Sequence, residues 1–399
     1  MLTLKKLNAS HLLGASAFFY FALYLVLPNG SAAYPFALVA IGLAARSLFV
    51  SSDLKLDKDG FFWALTLIAF GAVGLVSIVY HEASGDLADE PLHFLVVGLL
   101  AFAVLRYRIN VLWVQAGVVC GTLTILWLVV NSYTGGRFAP TMNATKFGTS
   151  IAFQAALCFS LAALGSNNWI RGLLVVTGGV NVYFISLTGT RGAVFAMAVY
   201  GVVLFIYVMA RSHSVKAKIV ALGILSLGIS APLLSDSFQG RLQHTFTEFS
   251  RIQAGDYRGS VGYRLVMYEA GIQATAGAPL LGVGYDYSSV FEGFSSANQS
   301  KLDAAGKISG SFQNFHNVYV DTLVKRGLLG FIVLFGVFLG ALYSSSGRQF
   351  LLTLAPVAIV AGAGLTDSVF ELSITTSYFV IATTLLKCVE VRTLNRDEG

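Results

Sequence analysis

The sequence predicts an all-α polytopic membrane protein with about twelve transmembrane helices and one large helical loop, on the outer side, between helices 9 and 10. Three observations lead there. The 399 residues are 56% hydrophobic and 12% charged, with a mean hydropathy of +0.72. That leaves too few polar residues to cover a soluble globule. Twelve apolar stretches approach the roughly twenty residues that a spanning helix needs. A single polar stretch of about eighty residues, 235–316, interrupts them, and every other gap is about twenty residues or fewer. The chain thus divides into 1–235 with nine helices, a loop at 236–316, and 317–399 with three helices and a short tail.

The apolar stretches run near 10–28, 35–50, 61–80, 91–105, 110–130, 148–165, 170–188, 193–210, 218–235, 327–344, 350–366 and 373–390. Lys5 and Lys6 precede the first, and membrane helices follow it, so no cleavable leader is expected. The charges orient the bundle. Alternate short loops hold Lys55 and Lys58, Arg106 and Arg108, Arg171, then Arg211, Lys216 and Lys218, then Arg348. The remaining short connections hold only Arg137, Lys146 and Arg191, and the acidic run His81–Glu90. By the positive-inside rule both termini are cytoplasmic and the long loop is outside. The net charge of +6 is therefore a matter of topology, and no nucleic-acid partner is expected. Cys120, Cys158 and Cys388 lie inside apolar stretches as packing residues, with no spacing that makes a disulfide framework or a metal site.

Several motifs carry possible chemistry. Asp57-Lys58-Asp59 has the Asp-x-Asp form of a metal-bound nucleotide-sugar site, but it sits on the inner side, away from the other candidates, and is given no role. The outer connection 131–147 carries Gly135-Gly136-Arg137, either as a flexible link or as a donor-lipid contact. Thr188-Gly189-Thr190-Arg191-Gly192 joins two apolar helices, so Arg191 lies at the outer surface. It either snorkels to lipid phosphates or binds a phosphate ligand, to which flanking glycines give close backbone access.

The long loop holds Arg241, Arg251, Arg258 and Arg264. From Phe238 to Ile252, Phe238, Leu242, Phe246, Phe249 and Ile252 recur at helical spacing, which predicts an amphipathic, interfacial helix. A second helix, from about Ser260 to Ala276, sets Arg264, Tyr268, Ile272 and Ala276 in one stripe. There Arg264 either snorkels or faces a pyrophosphate cleft. Residues 294–315, rich in Ser, Gly, Ala, Asn and Gln, read as a mobile lid or entry loop. His316 opens the next helix, as a cap or as a general base with an ordinary pKa suited to neutral pH. Asp321 is five positions on and off that face. Asp367, in the outer connection before the last helix, is either a plain turn residue or a group that orients or polarises the site. His11, His81, His93, His213 and His244 form no metal-ligand spacing.

Together these motifs carry a resemblance. The Thr-Gly-Thr-Arg-Gly hairpin is followed by Arg264-x-x-x-Tyr268, Pro279-Leu280-Leu281-Gly282-Val283-Gly284, His316-Asn317-Val318-Tyr319 and Gly327-Leu328-Leu329-Gly330. In this order they resemble the O-antigen ligase and O-antigen polymerase superfamily, over roughly 186–335 by motif and over the whole chain by its twelve-helix plan. Tyr268 stands where that family often has Trp. Lys325-Arg326 replaces a commoner acidic residue, a change expected to alter contacts at the membrane surface.

The resemblance implies an inverting glycosyltransferase of the inner membrane, with its site facing the periplasm and no metal or other cofactor. Its donor would be O-antigen polysaccharide on undecaprenyl pyrophosphate, and its acceptor a sugar hydroxyl of lipid A–core. Arg191 and Arg264 would be catalytic and bind pyrophosphate. His316 would activate the acceptor, and Arg137, Tyr268, Asn317 and Asp367 would complete the substrate site. Membrane lipids are the remaining partners. A polymerase of the same superfamily is the nearest alternative. A twelve-helix transporter fits less well, because the charges gather at one surface and no repeat is visible.

Overall fold

In the computed structural model the described residues are 2–27, 33–49, 56–164, 167–230, 233, 236–285, 290–291, 293–294, 298–308, 314–343, 347–370 and 373–390. The first part of the chain forms α1 (Leu2–Leu23), α2 (Ala33–Phe49), α3 (Lys58–Tyr80), α4 (Asp89–Val104), α5 (Val111–Ser132), α6 (Ala144–Leu164), α7 (Asn168–Leu187), α8 (Arg191–Arg211) and α9 (Val215–Ser230). The polar stretch contributes α10 (Asp236–Gln253), α11 (Ser260–Ala276) and α12 (Gln299–Ile308). The chain then forms α13 (Val318–Leu342), α14 (Gly347–Ala363) and α15 (Ser373–Cys388). Each of the twelve apolar stretches falls on one of α1–α9 or α13–α15. Among the described residues six helices, α3, α5, α6, α7, α8 and α13, are long and apolar enough to cross a membrane.

The core is built on α6, in which every residue from Phe147 to Ala162 is buried. A helix apolar all round belongs inside a bundle, and α6 is packed by α7, α8 and α14. Tyr24 and Tyr378 meet beside it with ring centroids 4.1 Å apart. On the outside, Val79, Trp127, Val130 and Ile206 are exposed. So many bare apolar side chains along apolar helices identify a membrane protein.

The connections collect at two ends. At one, the two-residue strands β1 (Ile109–Asn110) and β2 (Val389–Glu390) pair in parallel. There Asp57 caps α3, accepting from the Gly60 N–H at 2.7 Å, and forms an ion pair with Arg108. The Asp57-x-Asp59 pattern is thus a helix cap. At the other end lie the 133–143 and 188–190 connections, joined where the Phe138 N–H donates to the Leu187 carbonyl at 2.9 Å. The start of α13 lies there as well, its Val318 N–H donating to the Gly364 carbonyl at 2.8 Å.

α13 is broken at Gly327 (φ +61°, ψ −161°). The Pro279–Gly284 turn fills the break: the Leu328 N–H donates to the Pro279 carbonyl and the Val283 N–H to the Val324 carbonyl, both at 2.8 Å. Gly282, at φ +73°, runs so close that a Cβ there would lie 2.2 Å from the Val324 oxygen. Lys325 and Arg326, expected to meet the membrane surface, are instead interior, at 2% and 1% exposure. The reason is pairing. Lys325 meets Asp321 at 2.9 Å, and Arg326 meets Glu90 at 3.0 Å while lying 4.4 Å over the Phe70 ring.

The described residues of the polar stretch form more regular structure than its composition suggests. Within the segment read as a mobile lid, α12 packs on α11 through buried Ala304, Ala305 and Ile308. Lys301 ties it there by an ion pair to Glu269 at 2.8 Å. α10 and α11 cover the two predicted amphipathic helices, but the packed face of α11 is Gly262, Val266, Met267, Ala270, Gly271 and Thr275. The stripe through Arg264, Tyr268 and Ile272 lies beside that face, with Ile272 exposed. Two glycines let α11 approach its neighbours closely; Gly271 stands where a Cβ would be 2.9 Å from Val324. A small-residue face packs as firmly as a large one.

Candidate functional site

The hairpin between α7 and α8 forms the floor of the site. Gly189 takes φ +61°, left-handed backbone that lets the chain turn within a few residues. The Thr190 hydroxyl donates to the Ala144 carbonyl at 2.9 Å, and Arg137 Nε donates to the Thr188 carbonyl at 2.9 Å. Gly192 allows a close crossing, because a Cβ there would lie 2.4 Å from the Thr366 hydroxyl. Arg191 is therefore the first residue of α8, at a helix end that favours anions. Its Nη1 donates to the Thr245 hydroxyl of α10.

Arg137, Arg191, Arg241 and Arg264 line one cavity of about 150 Å³, with Thr145, Gly189, Thr190, Gly192, Ser260 and Thr366. Burial, and then the positive charge of Arg241 and Arg191, pulls the Arg137 guanidinium below its ordinary pKa. Among the described residues none of the four has an ion-pair partner, whereas the neighbouring Arg251 and Arg258 both bind Asp256, at 2.7 and 2.8 Å. Glu248, the nearby carboxylate, instead accepts from the Ser260 and Val261 N–H groups at 3.2 and 2.9 Å. Four unneutralised guanidinium groups around a small polar space form a site for a multiply charged oxyanion.

A second cavity, of about 320 Å³, is lined by Ser260, Tyr263, Arg264, Met267 and His316. Arg264 and Ser260 belong to both walls, so the two spaces adjoin. His316 has left-handed backbone (φ +49°), and its Nδ1 lies 3.1 Å from Asp367 Oδ1. A carboxylate only accepts, so Nδ1 carries the proton and the basic lone pair is on Nε2. The backbone around His316 is fixed as well. Its N–H donates to Asn314 Oδ1 at 3.1 Å, and its carbonyl accepts from the Tyr268 hydroxyl at 2.9 Å. Asn317 caps α13, accepting from the Tyr319 and Val320 N–H groups, and its amide donates to the Leu365 carbonyl at 3.2 Å. Among the described residues no group of three or more His, Cys, Asp or Glu side chains could hold a metal ion.

Arg137, Arg191, Arg264, His316 and Asp367 thus come together from five separate parts of the chain. Tyr268 and Asn317 engage the backbone around His316 and line neither cavity. Arg241 was named among the loop arginines but given no role, and Thr245 and Tyr263 were not picked out from the sequence. Arg241 and Thr245 are one helical turn apart, which places them on one face of α10, but nothing local says that this face meets Arg191.

Residues 173–335 match the family model described as O-antigen ligase. Over that stretch the chain is similar to the O-antigen ligase family. The matched region holds Arg191, Arg241, Arg264 and His316, while Arg137 and Asp367 lie outside it. A protein of Haemophilus influenzae, carrying only the name "Uncharacterized protein", is 24% identical over 341 residues, covering 81% of this chain and 82% of the relative. This similarity suggests a glycosyltransferase-like activity of the ligase or polymerase type.

Proposed function

We propose that the protein is an O-antigen ligase, transferring O-antigen polysaccharide from undecaprenyl pyrophosphate to a sugar hydroxyl of lipid A–core. The site would face the periplasm, as the charge alternation of the short loops favours. One observation carries the reading: a cavity of arginines adjoins a second one lined by His316, whose ring is paired with Asp367. In this reading the acceptor hydroxyl lies beside His316. Its oxygen attacks the anomeric carbon of the donor glycan, and its proton passes to Nε2. The anomeric C–O bond breaks, and the pyrophosphate leaves with the electron pair. A single displacement of this kind inverts the anomeric centre. Arg191 and Arg264 stabilise the charge that grows on the leaving group, the part that a metal plays elsewhere. Both substrates are lipids, and a site at the end of the bundle lets each arrive laterally.

The test is reconstitution in proteoliposomes with an undecaprenyl-pyrophosphate glycan, offering lipid A–core or a second glycan-loaded carrier. Transfer to lipid A–core is expected. Lengthening of the carrier-linked glycan alone would make the protein a polymerase. Transfer to neither would end the glycosyltransferase reading.

A further inference from the structure

Asp321 lies five positions after His316 and does not share its helical face, yet the fold joins the two through the main chain. The Asp321 carboxylate is buried. Its Oδ2 pairs with Lys325 Nζ at 2.9 Å, and its Oδ1 accepts from the Phe315 N–H at 3.3 Å. Phe315 directly precedes His316. A buried ion pair gains little stability over an apolar pair of similar volume, so stability alone does not account for a carboxylate here. We infer that Asp321, braced by Lys325, is a positioning residue for the transfer reaction. It clamps the chain at Phe315, and so sets the left-handed backbone from which the His316 ring meets Asp367. The inference rests on the ligase reading, in which that ring is the base.

The clamp has a fixed base. The Lys325 carbonyl accepts from the Ser77 hydroxyl of α3 at 2.5 Å. One residue earlier, the Val324 carbonyl accepts from the Val283 N–H at 2.8 Å. Asp321 and Lys325 thus stand on the joint where α13 breaks at Gly327. The Phe315 side chain is held separately. It is buried and stacks on Phe291 with ring centroids 6.0 Å apart. Gly271 of α11 stands where a Cβ would be 3.0 Å from the same ring. With its ring and its N–H both held, Phe315 cannot turn to relieve the residue that follows it. The φ of +49° at His316 is unfavourable for a residue with a side chain, so loss of a restraint should let this backbone relax. A displacement of about 1 Å at a catalytic group can cost on the order of 100-fold in rate.

The test replaces the pair in the full protein, reconstituted in proteoliposomes with undecaprenyl-pyrophosphate glycan and lipid A–core. Asp321→Leu with Lys325→Met fills the space with neither charge nor acceptor, an exchange that is often neutral or stabilising. Its melting temperature and donor affinity should match wild type, while its single-turnover rate falls on the order of 10- to 100-fold. Asp321→Asn with Lys325→Gln again offers an acceptor to the Phe315 N–H. It should recover most of the rate, which a role in packing alone does not predict. If a lowered melting temperature shows that leucine is not accommodated, Asp321→Ala with Lys325→Met makes the same comparison. A wild-type rate in the apolar variant overturns the clamp, and so does an amide variant as slow as the apolar one. If the wild-type protein transfers no glycan, the ligase reading fails and the clamp fails with it. If it does transfer glycan and the apolar variant is unimpaired, only the clamp is lost.

Discussion

At His316 the backbone and the ring are constrained by different partners, and the two can be separated. The φ of +49° is unusual for a residue with a side chain, and the Tyr268 hydroxyl on its carbonyl helps to hold it there. Asp367 holds the ring. If the imidazole is the base, His316→Ala should lose roughly 10²–10⁴-fold in single-turnover rate, with donor affinity largely kept. His316→Asn tolerates left-handed backbone and should be equally impaired, since the loss belongs to the ring. Asp367→Asn presents an amide to Nδ1 and no longer fixes the tautomer, so turnover should fall on the order of 10- to 100-fold. Arg191→Lys and Arg264→Lys should each weaken donor binding as well as turnover, because a point charge cannot replace the guanidinium fork. Loss of donor binding in His316→Ala, with normal binding in the arginine variants, would reverse these roles. Arg191 stands out in the sequence because it sits between two apolar stretches, Arg264 because it falls on the apolar stripe of an amphipathic helix, and His316 because it opens the helix after the polar loop. Arg241 does not stand out, because within α10 it looks no different from Arg251, and what separates the two is that Arg251 pairs with Asp256.

The element that ties loop to bundle is α13, and its break is the feature that local sequence conceals. Gly327-Leu328-Leu329-Gly330 and Pro279–Gly284 read as two unrelated turns, yet they are two sides of one joint. Gly327→Ala would put a Cβ 2.4 Å from the Leu280 carbonyl carbon, on backbone that strongly favours glycine. Thermal unfolding in detergent should show a loss of at least about 1–3 kcal/mol, the usual cost of such backbone strain alone; an unchanged melting temperature would mean that the joint is loose. One residue earlier, the Arg326–Glu90 pair joins α13 to the start of α4. Glu90→Gln leaves the Arg326 charge buried at 1% exposure, and removing one partner of such a pair costs about 3–5 kcal/mol. Replacing both, as Glu90→Leu with Arg326→Met, should recover much of that. Equal stability of single and double variants would show that the charge is not the source. The pair could not be read from sequence, because 236 positions separate its members and each alone looks like a loop charge. The helices themselves were legible, since apolar length and spacing are local properties.

Across the whole molecule, the connections divide between two ends in the order that the loop charges predict. Arg108, Asp57 and the β1–β2 pair lie at one end. The four arginines and His316 lie at the other. This follows from helices that run back and forth, and the positive-inside rule predicts which side each end faces from the excess of Lys and Arg near Asp57 and Arg108. The prediction can be checked without activity. Single cysteines at Ser84 and Ser250, both exposed and at the arginine end by the loop order, should react with a membrane-impermeant thiol reagent in intact spheroplasts. A cysteine at Ser214, exposed between α8 and α9, should react only after the membrane is opened. The buried Cys158 and Cys388 should stay silent in both conditions, and Cys120 should be replaced beforehand as the least buried native thiol. The reverse pattern, with Ser214 labelled and the other two protected, would put the arginine cavity in the cytoplasm. A glycan carrier presented on the opposite surface could then not reach it, and the proposed reaction would lose its donor whatever the chemistry of the cavity.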